Sequence, residues 1–366
     1  MNIHHSTYKH ILLNMIKSNK FRISAIAIAS LYITGLLVLK NSCTEANDPI
    51  PNILQLKTKT KNKASLVTIG LHINSFPTFS FTKNEFIIDG ILWFKFPQGA
   101  ESIKQIENFT IQNSLLQENG ILLYKSSPII KLIDHDVLVC YHIQTSFKAN
   151  LDYHNFPMEN HRLFIIIQNK SATPEELYFQ SDSQNITIAK DNLLGYWQPR
   201  EASVKTGYIQ ANLHHSDPEL SIHYPVAAFS INFENIGVRN LASLYFPMFV
   251  LFFIALFCLF IDISDISRLS YVAAAIPTLA LFRLVIDGVS PHVGYSTHVD
   301  FTYYLLVFLS LLILLFQTYV VLTLQTTKHL SKELQEPIKA RLSFLNDWVF
   351  ILTLATLVIC ITLSCL

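Results

Sequence analysis

Charge is what this sequence has least of. Only 14% of its 366 residues are Asp, Glu, Lys or Arg, against about a quarter in a soluble domain. The two signs nearly cancel, at a net +1, which excludes the strongly basic surface of a nucleic-acid binder. Ordered cysteine spacing is missing too. Cys43, Cys140, Cys258, Cys360 and Cys365 are scattered, with no C-x-x-C, so neither a metal site nor a disulfide framework is indicated, and no cofactor is implied. H-E-x-x-H, P-loop and Ser-His-Asp spacings do not occur, and nothing points to an enzyme.

What is present is apolar: 51% of the residues are hydrophobic. The shortage of charge is localised, which predicts a membrane part joined to a water-exposed part. Residues 1–22 are polar and basic, and an apolar run from Ile23 to Leu39 follows. Residues 1–46 therefore read either as a secretory signal or as an uncleaved anchor; both export what comes after Cys43. A Pro-, Asn- and Lys-rich linker covers residues 47–63. From 64 to 238 the pattern has period two: Val67, Ile69, Leu71 and Ile73 alternate with Thr68, Gly70, His72 and Asn74. Similar runs at Val137–Phe147 and Leu220–Val226, separated by turn clusters, predict an all-β, antiparallel, immunoglobulin-like sandwich.

The membrane part, 239–366, holds four apolar spans at about 241–261, 269–286, 300–324 and 347–366, each near the ~20 residues a bilayer requires. The basic cluster Lys328, Lys332, Lys339 and Arg341 between the last two belongs in the cytoplasm. That places the β domain and the 287–299 loop outside. The second span differs from the rest. Ser270, Ala274, Pro277, Leu281 and Leu284 form a small or weakly polar stripe at helical spacing, which suits the inside of an assembly better than its rim.

Three motifs carry a resemblance to a known family. The first is Phe147-Lys148-Ala149-Asn150-Leu151-Asp152, running on through Phe156-Pro157-Met158-Glu159-Asn160-His161-Arg162-Leu163. It resembles the loop F-x-x-x-(D/N)…F-P-F-D-x-Q-x-L of the pentameric ligand-gated ion channels, with His161 in place of Gln. No cysteine stands near Ala149 or Leu163, as in the bacterial branch. The second is Pro247 in the first span. The third is Pro291, Tyr295, Thr297 and Asp300 after the second span, similar to the family's L-P-x-x-x-Y-x-T-x-x-D.

The resemblance implies a homopentamer around a central pore in a bacterial inner membrane, with the N-terminal domain periplasmic. It implies that Ser270, Ala274, Pro277, Leu281 and Leu284 line the path, each repeated as a ring. Pro277 departs from the large aliphatic residue usual there. Asp262, Asp265 and Asp287, opposed by Arg268, would form charge rings with a weak preference for cations, or else cap helix ends. Phe156, Pro157, Glu159, Arg239, Pro291, Tyr295 and Asp300 would couple the β domain to the pore, with Glu159–Arg239 as an ion pair. Arg283 and Asp287 would pair within their helix. The ligand positions would be Trp93, Phe94, Tyr178, Phe179, Tyr208, His214, His215 and Tyr224, although aromatics at such spacings are more often core than a ligand box. A small molecule or protons would be the ligand, and membrane lipid the other partner. The function so implied is a ligand- or pH-gated ion channel. The alternative is a non-conducting receptor of the same build that signals through a partner, which Pro277 favours.

Overall fold

The structure, a computed structural model, describes residues 19–55, 65–99, 103–112, 121–189, 194–213, 217 and 220–365. The chain divides into two compact units. A sheet unit takes Glu45–Asp152 and Glu159–Ile236. A helical unit takes the described part of Met1–Thr44, Tyr153–Met158 and Gly237–Leu366.

In the helical unit α1 (Asn19–Cys43) comes first in the chain. After the sheet unit follow α3 (Val238–Phe257), α4 (Ser267–Val289), α5 (His298–Thr327) and α6 (Lys332–Cys365), α2 (Ile103–Glu107) being a short turn of helix between strands. Five of these are long and apolar enough to cross a membrane; the protein is a transmembrane protein. α1 packs against the other helices. Ala29, Ile33 and Leu37 recur at helical spacing and are buried. Arg22, 6% exposed, pairs with Asp347 of α6 and gives a hydrogen bond to the Leu259 carbonyl at 2.6 Å. Lys40 reaches the Ser364 carbonyl at 2.7 Å. Both contacts advance along the two helices together, so α1 and α6 run in the same direction.

In the sheet unit β1 (Ser65–Ser80), β2 (Glu85–Pro97), β4 (Ile121–Lys125), β5 (Ile129–Ile133), β6 (Asp136–Phe147), β8 (Leu177–Gln180) and β9 (Ile186–Ile188) make a seven-stranded sheet. Its order is β4-β6-β2-β1-β8, with β5 also on β6 and β9 also on β1. β10 (Trp197–Asn212), β11 (Ser221–Asn235), β7 (His161–Asn169) and β3 (Phe109–Gln112) make a four-stranded sheet in that order. Val67, Ile69, Leu71 and Ile73 are fully buried, as alternation on one face requires. Rings from both sheets meet between them: Phe94 lies 5.7 Å from Phe109 and 6.1 Å from Phe179.

The expected fold class is corrected here. An immunoglobulin-like, wholly antiparallel sandwich followed by four helices does not form. A helix precedes the sheets, and the seven-stranded sheet is mixed: β8 and β9 both pair parallel to β1. After β7 the chain leaves the four-stranded sheet and lays β8 alongside β1. Period-two alternation records which face a residue takes and says nothing of strand direction, so the parallel pairs left no trace in it.

The stretch expected to be linker is in part a strap. Leu54 exchanges two backbone hydrogen bonds of 2.9 Å with Tyr208. Gly207 beside it is needed bare, because a Cβ there would meet the Leu54 carbonyl oxygen at 2.3 Å. Ile53 and Ile209 pack on Phe164, Ile166, Val226 and Ala228, closing the outer face of the four-stranded sheet.

Candidate functional site

The Phe-Pro turn, Tyr153–Met158, belongs to the helical unit although its chain neighbours on both sides are sheet residues. It is a tight turn, with Phe156 N–H bonded to the Tyr153 carbonyl at 3.0 Å and a cis Phe156–Pro157 bond. The first N–H groups of a helix have no partner within it, and at α5 the turn supplies them. His298 N–H donates to the His154 carbonyl at 2.9 Å, and Val299 N–H to the Phe156 carbonyl at 3.2 Å. Thr297 and Asp300 complete the start as a capping box. Tyr295 stacks on His154 with centroids 4.0 Å apart, and its hydroxyl accepts from Tyr153 N–H at 2.9 Å. Pro291 is buried.

Arg283 ties α4 to the same point. Its guanidinium pairs with Asp300, and with Asp287 at 2.8 Å, and lies 5.7 Å from the Tyr303 ring and 5.6 Å from the Tyr304 ring. The intrahelical pair with Asp287 was expected. The link to Asp300 was not, since no spacing rule connects residues of two helices.

On α4 the buried side chains are Arg268, Val272, Ala275, Leu279 and Ile286. Ser270, Ala274, Pro277, Leu281 and Leu284 are all exposed. Each of the first four stands two positions after a buried one, about 200° around the helix. The stripe therefore points away from the helices packed behind it, and α4 runs unbroken through Pro277.

The charge-ring residues separate. Asp262 and Asp265 are exposed, and each accepts a backbone N–H two residues on, from Ser264 at 2.8 Å and Ser267 at 2.9 Å. Arg268 is placed otherwise. Only 1% exposed, it donates to the Cys258 carbonyl at 3.1 Å and pairs with Asn346. It knits helices together and presents no charge outward.

Among the described residues the ligand positions are not brought into one box. Phe94 and Phe179 are fully buried and Tyr178 nearly so, as core. Trp93 alternates to the other face and lies across Gly70, where a Cβ would meet its ring at 2.1 Å. Tyr208 stands in the other sheet, edge-on to His223 at 5.0 Å; Tyr224 is half-buried. His214 and His215 lie outside the described residues. In the sheet unit Lys125 lies over two rings, 4.6 Å from Phe109 and 4.9 Å from Tyr141.

Glu159 takes His161 as its partner, where Arg239 was expected. Glu159 is 5% exposed, and its Oε1 is 3.4 Å from His161 Nε2. Arg239 is exposed on the first turn of α3. The other imidazole nitrogen, Nδ1, is 3.1 Å from Asp48. Asp48 also accepts the backbone N–H groups of Asp152, at 2.8 Å, and of Arg162. Phe81 stacks on His161 at 4.6 Å, and Trp197 lies at 5.5 Å. Burial holds the Glu159 carboxyl well above the usual carboxylate range, with the Asp48 and Asp152 charges adding to the rise and His161 opposing it. Burial alone would lower His161; the hydrogen bonds and charges of Asp48 and Glu159 outweigh it and raise the imidazole. A D-P step in a linker gave no signal that Asp48 would be buried here.

No family model matches the chain, and no curated protein matches it.

Proposed function

We propose that this protein is a ligand- or pH-gated ion channel of the pentameric ligand-gated type, resembling its bacterial branch. Five copies of the chain assemble, and the exposed stripe of α4 lines an aqueous path with a weak preference for cations. The sheet unit lies on the periplasmic side of a bacterial inner membrane. The observation that carries the reading is the capping of α5 by the Phe-Pro turn. A piece of chain continuous with two strands, β6 and β7, supplies acceptors that a membrane helix requires, and Arg283 joins that point to α4. Strain in the sheet unit has a covalent route to the helix that bears the stripe.

The exposed edge strands β4 and β5 support assembly. Ile121, Leu123, Ile129 and Leu132 are 50–67% exposed, an apolar ladder that a monomer would leave in water. Pro277 in the exposed stripe favours a second reading, a sealed receptor of the same build that signals to a partner. Recording from protein reconstituted in a planar bilayer, across pH and a panel of amines, separates them. Evoked unitary currents are expected. A silent bilayer containing assembled protein would favour the sealed receptor.

A further inference from the structure

The Asp48–His161–Glu159 cluster sets two carboxylates against one imidazole in a place closed to water: the His161 and Asp48 side chains are 0% exposed and that of Glu159 6%. Its members hold both stems of the Phe-Pro turn. Asp152, the residue before the turn, gives its N–H to Asp48. Glu159, the residue after it, lies against His161. The strap joins the same cluster through Asp48. One oxygen, Glu159 Oε2, is buried with no hydrogen-bond partner among the described residues. With both acids ionised and His161 protonated, the cluster carries one uncompensated negative charge out of water, which is costly. A proton on Glu159 removes it.

We propose that this cluster is the site at which protons act on the protein, binding at Glu159 and altering the hold on the turn that caps α5. The proposal rests on the gated-channel reading and names the ligand and its site. The charged groups facing Glu159 are Asp48 from the strap, Asp152 from the stem before the turn, and His161 from β7. Phe81 from the turn after β1 and Trp197 from β10 face the imidazole and carry no charge. The Arg162 side chain turns to Asn232 at 2.7 Å and leaves the cluster. Proton loss from Glu159 adds a charge beside His161 and competes with Asp48 for it. The stem after the turn and the strap are thereby coupled through one imidazole.

Trp197 provides a readout that needs no conduction. The chain has three tryptophans; with Trp93→Phe and Trp348→Phe, Trp197 alone reports on the imidazole 5.5 Å away. In full-length protein held in detergent, its emission is expected to show a step near neutral pH. Glu159→Gln should abolish that step and Glu159→Asp should keep it, shifted by about one pH unit. The half-buried pair His142–Asp89 serves as control, and His142→Gln should leave the step in place. In vesicles, flux through the wild type should vary with pH, and Glu159→Gln should give the acid-form level at every pH. A step unchanged by Glu159→Gln overturns the proton site. A flux profile unchanged by it overturns the proposal while the channel reading stands. Absence of flux at every pH overturns the channel reading and the claim on the gate together, and the Trp197 step then decides the site alone.

Discussion

Each unit of the molecule buries a charge cluster, and the two are made of different groups. In the helical unit one Arg22 meets one Asp347 between Phe260 and Phe350. One cation faces one anion, so the two buried charges offset each other. In the sheet unit two carboxylates share one His161, so one imidazolium cannot offset both charges. The first arrangement suits a joint that must never open. The second suits a joint whose strength is set from outside.

The largest effect should come from breaking the fixed pair. Asp347→Ala leaves a buried arginine without its carboxylate, at a cost of about 3–5 kcal/mol. The loss of folded full-length protein in mild detergent should be severe and the same at pH 5 and pH 8. The double replacement Arg22→Met with Asp347→Leu should recover most of it. If both variants melt like the wild type, α1 is not an integral span.

The titratable cluster should give a dependence on pH of opposite character. The native state holds protons on Glu159 and His161 more tightly than the unfolded chain does. Their contribution is fully present below the ordinary values of 4.5 and 6.5 and is lost as pH rises through the raised native values. The melting temperature of the sheet unit should therefore fall on the alkaline side, and Glu159→Gln should flatten the near-neutral part of that fall. Differential scanning calorimetry between pH 5 and pH 9 reads it; a melting point that rises over this range would refute the assignment.

Smaller effects lie at the cap. Thr297→Ala removes one half of the capping box and should cost about 1 kcal/mol, read as a shift in the thermal midpoint. Tyr295→Phe keeps the stack on His154 and removes the acceptor for Tyr153 N–H. About 0.5–1.5 kcal/mol should be lost, with a shifted activation profile in protein that assembles normally. Asp287→Ala breaks an exposed pair four residues along a helix and should cost only a few tenths of a kcal/mol.

The helices were legible because each apolar run is long enough to span a bilayer, and β1 because one face is buried and one is not. The turn and the loop it rests on were legible as motifs, since Phe156, Pro157 and Tyr295 are unusual residues at fixed spacing. Contacts between segments far apart in the chain were not. Asp48 is over a hundred positions from His161, and Arg22 over three hundred from Asp347, so no local pattern announced either. Phe94 and Phe179 illustrate the other failure. An aromatic on a strand faces core or surface according to a parity that Trp93 and Phe94, being adjacent, satisfy in opposite senses.

The claim on which the rest depends is that the exposed stripe of α4 meets water. Single cysteines at Ser270, Ala274 and Leu281, in a background with the native cysteines replaced, can be treated with a charged, membrane-impermeant thiol reagent during recording. The account predicts that all three are modified and that current is blocked, while cysteines at Val272 and Ala275 on the buried face stay unreactive. Modification of the stripe by lipid-soluble reagents alone, with current untouched, would contradict it.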